Sequence, residues 1–264
     1  MILRRVFFVL LIVVSIGVVG CVKTQNTSSP EMKTVSEAEV EVKLAPVERI
    51  DTLGTIVLYP KFSRVDLACG VMPSKQDSSV ILMVAGSYTG EMKKDFEHTN
   101  IAGNHVSGGV WYKGYHCHRY TGSFFFYNNT WKFVYAPNKD KNYNPNNVRE
   151  KEMKIVAEYG GSGFSQEMIL HNGEVTPTCR PGNNKNIFRA LCALNNRLCI
   201  VQSQKIVQFK EFVALLQQLG VTDALYLDMG AGWNYGWYRE ENGQVQELFN
   251  KRTIYSTNWV TFYK

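Results

Sequence analysis

One stretch of this chain sustains a clear helical period. Across residues 207–219 the apolar side chains Phe209, Phe212, Val213, Leu216 and Leu219 recur at spacings of three and four, which gives one apolar face. Gly220 stands where a capping glycine closes a helix. Elsewhere the apolar residues come in short runs bounded by turn formers, at 55–58, 64–68, 80–84 and 224–227, and these read as strands. From Gly86 to Tyr135 glycines and aromatics dominate, as they do in β-structure with tight turns. The pattern predicts an α+β protein, a single mixed domain with a β-rich core and a few helices. Residues 138–147, with five asparagines and Pro145, read as a polar loop. Lys139-Asp140-Lys141 and Arg149-Glu150-Lys151-Glu152 mix signs and read as solvated surface. No internal repeat is present.

The N-terminus sets the compartment. Arg4 and Arg5 precede an apolar run over residues 6–19, broken by Ser15 and Gly17. About 14 residues are too few for a comfortable membrane span, which needs roughly 20, but they suit the apolar core of a secretory signal. The run ends in Val18-Val19-Gly20-Cys21, which looks like a bacterial lipobox, with Cys21 as lipid anchor and new N-terminus. The competing reading is an uncleaved signal anchor. Residues 1–20 are therefore expected to be a lipoprotein signal peptide. Residues 21–45, rich in Thr, Ser, Glu and Lys, form a flexible tether, and 46–264 the domain. Its expected place is the bacterial cell envelope, lipid-anchored and facing outside the cytoplasm, with membrane contact through the acyl chains alone.

Composition narrows the partners. Apolar residues make up 45% of 264 positions, enough for a sizeable core, and about 215 residues remain for one domain. The formal charge is +6, but the basic residues are scattered, with no run interleaved with aromatics that would track a phosphate backbone, so nucleic-acid binding is not expected. Beyond Cys21 there are five cysteines, an odd count that leaves at least one unpaired within the chain. Cys192 and Cys199 flank a hairpin turning at Asn195-Asn196. They then fall opposite one another about 5.5 Å apart at Cα, either as a disulfide or as two buried thiols.

Several chemistries can be set aside. Gly160-Gly161-Ser162-Gly163-Phe164 satisfies neither G-x-S-x-G nor G-x-G-x-x-G, and there is no H-E-x-x-H or C-x-x-C. His116-Cys117-His118 would place two histidines on one side of a strand, but spacing supplies no third ligand, so exposed histidines compete with a metal site. No cofactor is expected, and a divalent cation has no support in the spacing.

What remains centres on Asp228, at the carboxyl end of a strand that follows a helix. It opens the loop Asp228-Met229-Gly230-Ala231-Gly232, where glycines let a ligand approach the backbone. Trp233, Tyr235 and Trp237 follow at alternate positions and would share one face. They offer flat surfaces to a sugar ring, or else pack the core.

At these residues the chain resembles the phosphodiester glycosidase family. The resemblance lies in the order Phe188-Arg189-Ala190-Leu191, the hairpin over 192–201, the helix over 207–219, and Leu225-Tyr226-Leu227-Asp228-Met229-Gly230. His171-Asn172-Gly173, Val84-Ala85-Gly86-Ser87-Tyr88, and Ile101-Ala102-Gly103 through Gly108-Gly109 are similar to further family segments. The resemblance covers roughly Val80 to the C-terminus, in short motifs. The family's asparagine in the Val84–Tyr88 segment and the paired serines after the aspartate have no counterpart here.

The resemblance implies a glycosidase hydrolysing sugar-phosphodiester linkages, such as N-acetylglucosamine-1-phosphodiesters. Cleavage at the anomeric carbon passes through an oxocarbenium-like state. It needs a cation on the departing phosphate and a carboxylate that supports the sugar cation or activates water. Arg189 suits the first role, with its planar fork of donors, and Asp228 the second, while His105 is a candidate for phosphate contact or proton transfer. Gly103, Ser107, Gly109, Gly230, Trp233 and Asn234 are the expected substrate-binding positions. Each has a plainer competing reading: Asp228 as a cap on its own glycine turn, Arg189 as the partner of a surface acid, and His105 as an ordinary loop histidine. The competing functional class is a non-catalytic carbohydrate-binding envelope lipoprotein of the same fold.

Overall fold

The computed structural model describes residues 45–89, 98–114, 121–135, 145–230, 235–249 and 257–264. Cys21 and nearly all of the expected tether, His116-Cys117-His118, Trp233 and Asn234 lie outside the described residues. The chain divides into Met1–Val42 and Lys43–Lys264, and the second unit carries the fold below. Among the described residues no helix is long and apolar enough to cross a membrane.

The strands run β1 (Val47–Thr52), β2 (Thr55–Pro60), β3 (Arg64–Cys69), β4 (Val80–Ala85), β5 (His105–Ser107), β6 (Val110–Tyr112), β7 (Thr121–Tyr127) and β8 (Thr130–Val134). Helix α1 (Pro145–Glu158) then leads to β9 (Ser162–His171), β10 (Glu174–Val175), β11 (Lys185–Asn186), β12 (Arg189–Leu194), β13 (Arg197–Ser203) and β14 (Val207–Gln208). Helix α2 (Phe209–Leu219) precedes β15 (Asp223–Tyr226), β16 (Gly236–Arg239), β17 (Val245–Phe249) and β18 (Asn258–Tyr263).

Turn chemistry sets much of the register. The hairpins β1–β2, β5–β6, β7–β8, β9–β10 and β12–β13 each turn on two residues with positive φ, the last at Asn195 (53°) and Asn196 (56°). That backbone twist matches the twist of paired strands, and Asn and Gly tolerate it best. The expected opposition of Cys192 and Cys199 follows. Both are free thiols with no bridge between them. Burial pushes the Cys192 thiol well up and that of Cys199 to about 12.

Two sheets pack face to face. The larger follows the path β1-β2-β13-β12-β15-β9-β5-β6, with β7, β8 and β10 attached beside β9, and the smaller runs β17-β16-β4-β18-β3. Alternation along each strand divides the core between two faces. Leu58, Leu191, Ile200 and Leu225 meet Leu67, Leu82, Val84 and Val260 of the smaller sheet. Val57, Ala190, Cys192, Val201 and Tyr226 face the other way, against Phe209, Phe212 and Leu216 of α2. Because both faces are covered, every residue of β12 is buried. The helix begins two residues later than its apolar period, since Val207–Gln208 form the short strand β14 against β11. Gln208 and Glu211 make a capping box, and Gly220 ends the helix at φ 82°.

Two expectations are corrected in α1. Residues 145–147, expected in a loop, open this helix, with proline at a first position where no N–H is needed. Arg149, expected on the solvated surface, is 1% exposed. It lies on the face that buries Met153 and Val156 against Phe125 and Val106, four and seven positions on, as helical spacing dictates. A mixed-sign run conceals such a face because its apolar members are sparse.

The sheets are tied together where the chain leaves β4. Asn258 on β18 accepts a hydrogen bond from the Ser87 N–H at 2.6 Å and donates to the Ser87 carbonyl at 3.0 Å. The Ser87 hydroxyl reaches the carbonyls of Ser165 (2.8 Å) and Ala102 (3.2 Å), and the Gly86 carbonyl accepts from the Asp228 N–H at 2.9 Å. A side chain at 86 has no room, since a Cβ there would lie 2.5 Å from Asn258 Oδ1 and 3.0 Å from Leu67. Gly86→Ala is therefore expected to destabilise the domain by about 1–3 kcal/mol through overpacking. Asn258→Ala should cost about 2 kcal/mol or more by stranding buried backbone groups. The double variant should cost less than the sum, because losing Oδ1 relieves the clash. Urea unfolding of the three variants checks this.

Candidate active site

Helix α2 returns the chain into β15, whose carboxyl end delivers Tyr226, Leu227 and Asp228. On the edge of β9 opposite β7, β15 pairs up to Leu225↔Met168 while β5 pairs at Val106↔Gly163. Between them the two strands diverge, and Ser87 and Tyr88 enter beside Ser165. A split of this kind frees backbone groups that polar side chains must satisfy. Asp228 stands there.

The Asp228 carboxyl is 6% exposed and accepts one hydrogen bond, from the Gly230 N–H at 2.9 Å. Burial raises its pKa to about 6; the Gly230 bond and the charge of Arg180 oppose the rise without cancelling it. The carboxyl thus caps its own glycine turn. Arg180 is the cation of this site. Its guanidinium lies 4.1 Å over the Tyr226 ring, bonds Tyr88 Oη, and pairs with Glu167 at 3.4 Å. Glu167 is itself bonded by Thr178 Oγ1 and by Tyr88 Oη at 3.4 Å. The Tyr88 and Tyr226 rings are 5.6 Å apart, and burial keeps both phenols neutral by pushing their pKa values well up. The result is a carboxyl that titrates near neutrality beside a permanent cation and neutral hydroxyls, an arrangement found often at catalytic centres.

The other expected residues are dispersed. Arg189 is 0% exposed on the opposite face of β12 from Ala190, and its Nε and Nη2 donate to Gln202 Oε1 at 2.8 and 2.5 Å. Burial lowers its pKa to about 9. Its backbone carbonyl receives the Leu227 N–H at 2.9 Å, so Arg189 neighbours the aspartate loop through the main chain while its guanidinium lies under the sheet. His105 opens β5, fully buried, with Nδ1 3.2 Å from the Gly103 carbonyl. Burial lowers its pKa to about 4, which leaves it neutral at ordinary pH. Its neighbours are His98, Tyr112 and Cys69, and Ser107 bonds the Cys69 sulfur.

Gly109 lines a separate cleft of about 510 Å³ with Arg64, Asp66, Tyr127 and Tyr159. Gly230 stays with Asp228. Tyr235 and Trp237 are 1% and 0% exposed and pack with Val80, Met83 and Trp259, so they serve the core and not a sugar.

Arg180, Glu167, Tyr88 and Tyr226 escaped the sequence reading. Tyr226 could have been found, because a residue two before Asp228 on a strand shares its face. Arg180, within Thr178-Cys179-Arg180-Pro181-Gly182, carries only the signature of a turn.

No protein-family model matches this chain, and no curated protein matches it by sequence. Among solved structures, it is similar to the catalytic domain of zebrafish N-acetylglucosamine-1-phosphodiester alpha-N-acetylglucosaminidase, auto-inhibited by its pro-peptide. The TM-score is 0.52 at 12% identity, over 84% of this chain and 82% of that one. A hypothetical protein from Synechocystis gives 0.44 at 9% identity, over 83% and 61%. The first likeness is one of fold: the chain is a distant structural relative of a phosphodiester glycosidase domain.

Proposed function

We propose that this protein is a glycosidase that hydrolyses sugar-phosphodiester linkages, of the N-acetylglucosamine-1-phosphodiester kind, at the bacterial cell envelope. The observation that carries the reading is the buried Asp228 carboxyl, with its pKa near 6 and the charge of Arg180 acting on it, at the split between β15 and β5. It is supported by the fold likeness to an enzyme whose name states that chemistry. In this mechanism Arg180 holds the departing phosphate, the role that sequence assigned to Arg189. A phosphate leaving group is acidic enough to depart with little proton donation. Asp228, ionised, supports the oxocarbenium-like carbon or takes a proton from the attacking water. Tyr88 presents a neutral hydroxyl to the sugar, the buried Tyr226 ring backs the guanidinium, and Glu167 keeps it oriented. Arg189, with Gln202, positions the aspartate loop from below through Leu227.

The same proposal places the domain outside the cytoplasm on a lipid carried by Cys21. Metabolic labelling with palmitate should mark the wild-type chain and fail on Cys21→Ser; equal labelling of both would remove the anchor.

Purified protein should release sugar from an N-acetylglucosamine-1-phosphodiester, with turnover falling as pH drops through about 6. Asp228→Asn should lower kcat by at least about a hundredfold and Arg180→Gln should raise KM. Sugar binding without release by wild type would replace the enzyme with the carbohydrate-binding alternative.

Asp228→Asn should also stabilise the fold. A carboxyl carried from 3.8 up to about 6 costs the folded state up to about 3 kcal/mol once ionised. The folded pKa is the higher one, so the gain should be full above about pH 6 and vanish below about pH 4. Urea unfolding of both proteins across that range measures it.

A further inference from the structure

The His105 neighbourhood holds a group of side chains that the proposed glycosidase chemistry does not use. Cys69 ends β3 in the smaller sheet, opposite Asn258, and is partly buried. His98 opens the short 3-10 turn His98–Asn100, and His105 begins β5 in the larger sheet. The Cys69 sulfur and one ring nitrogen from each histidine all lie within 4.8 Å of one another. His98 Nδ1 and His105 Nε2 are 3.1 Å apart.

These separations, 3.1 Å for the histidine pair and at most 4.8 Å overall, bracket those around a small tetrahedral ion. Bonds of about 2.0–2.1 Å to nitrogen and about 2.3 Å to sulfur place neighbouring ligand atoms about 3.3–3.7 Å apart. The orientation of His105 is also suited. Its Nδ1 faces the Gly103 carbonyl at 3.2 Å, where only an N–H is favourable, so Nε2 carries the lone pair and points at His98. A backbone carbonyl behind a ligating imidazole is the usual outer support of a metal-bound histidine. The His98 ring is held by stacking on Tyr112 at 3.6 Å between centroids, 6° from parallel. Ser107 bonds the Cys69 sulfur. Each of the three donors is thus held in place by a second group.

We propose that Cys69, His98 and His105 form a binding site for a borderline-soft divalent transition ion, zinc above all, with a fourth position left for water or an added ligand. One thiolate and two imidazoles suit zinc and reject magnesium or calcium, which take oxygen. Binding releases the thiol proton to solvent, while the His98 Nδ1 proton moves to its Nε2, so that both imidazoles ligate as neutral donors. The ion would cross-link β3 of the smaller sheet to β5 of the larger. Sequence could not show this, since positions 69, 98 and 105 have no ligand spacing and the eye is drawn to His116-Cys117-His118.

The test uses the full chain, reduced and stripped with a chelator, then titrated with cobalt(II) and afterwards zinc(II). Stoichiometric uptake with a thiolate-to-cobalt charge-transfer band, bleached by zinc, is the expected result. Cys69→Ser should abolish the band, and His98→Gln should weaken uptake by at least about tenfold, the loss that removing even an outer support of a ligand brings. Cys179→Ser and a His116→Gln/His118→Gln double variant should leave both intact. His105 is fully buried, so the less buried His98 carries the histidine arm, and circular dichroism verifies that each variant folds. A wild-type protein without the band, or a band that survives Cys69→Ser, overturns the assignment. Loss of glycosidase activity in these assays bears only on the other proposal, because the cobalt band reads the metal directly.

Discussion

The structure depends on one junction, the hydrogen-bonded crossing at Gly86-Ser87-Tyr88. A two-sheet core can slide, because hydrophobic contact between faces is non-directional. Directional bonds at one buried point remove that freedom. Asn258 clasps both backbone groups of Ser87, Ser87 bridges to Ser165 on β9, and Gly86 receives the Asp228 N–H. Three strands from two sheets and the start of the aspartate loop are thereby fixed against one another. The absence of a side chain at 86 is the condition for it, since Asn258 occupies that volume.

The junction also explains the character of the site. Tyr88 leaves it directly and contributes to the hydroxyl and ring surface around Arg180. Asp228 is held into the same space by its backbone while its carboxyl loses water. Burying an acid with a single backbone donor is unfavourable for its charged form, and the distant Arg180 charge offsets that only in part. A purely structural loop would gain by replacing this carboxyl with an amide; keeping it is a stability cost that makes sense if the protonation state is used. Arg189 illustrates another solution, a buried cation engaged by Gln202, whose backbone carbonyl holds the Leu227 N–H ahead of the loop.

How much could be read beforehand differs by residue. The strands at 55–60, 64–69 and 80–85 and the hairpin at Asn195-Asn196 were legible because their signals are local: short apolar runs, and turn residues that accept positive φ. Helix α2 was legible from its period and its capping glycine. Helix α1 was not, because its buried face consists of Arg149, Met153 and Val156 among charges, too sparse a pattern to stand out. Tyr235 and Trp237 were legible as sharing one face, but which way that face points depends on what packs beyond it. Tyr235 and Trp237 turn into the body of the protein.

The amino-acid sequence by itself determined the fold class, the turn register, and Asp228 at a strand end ahead of a glycine loop, because propensity, periodicity and turn chemistry act between near neighbours. Only the tertiary structure decided which charges share a site. It set the charge of Arg180, paired with Glu167, to act on Asp228, sent Arg189 beneath the sheet, and gathered Cys69, His98 and His105 from separate elements. The physical reason is that electrostatic and ligand chemistry act through space over a few ångströms, and strand pairing can bring residues to that range from any separation along the chain.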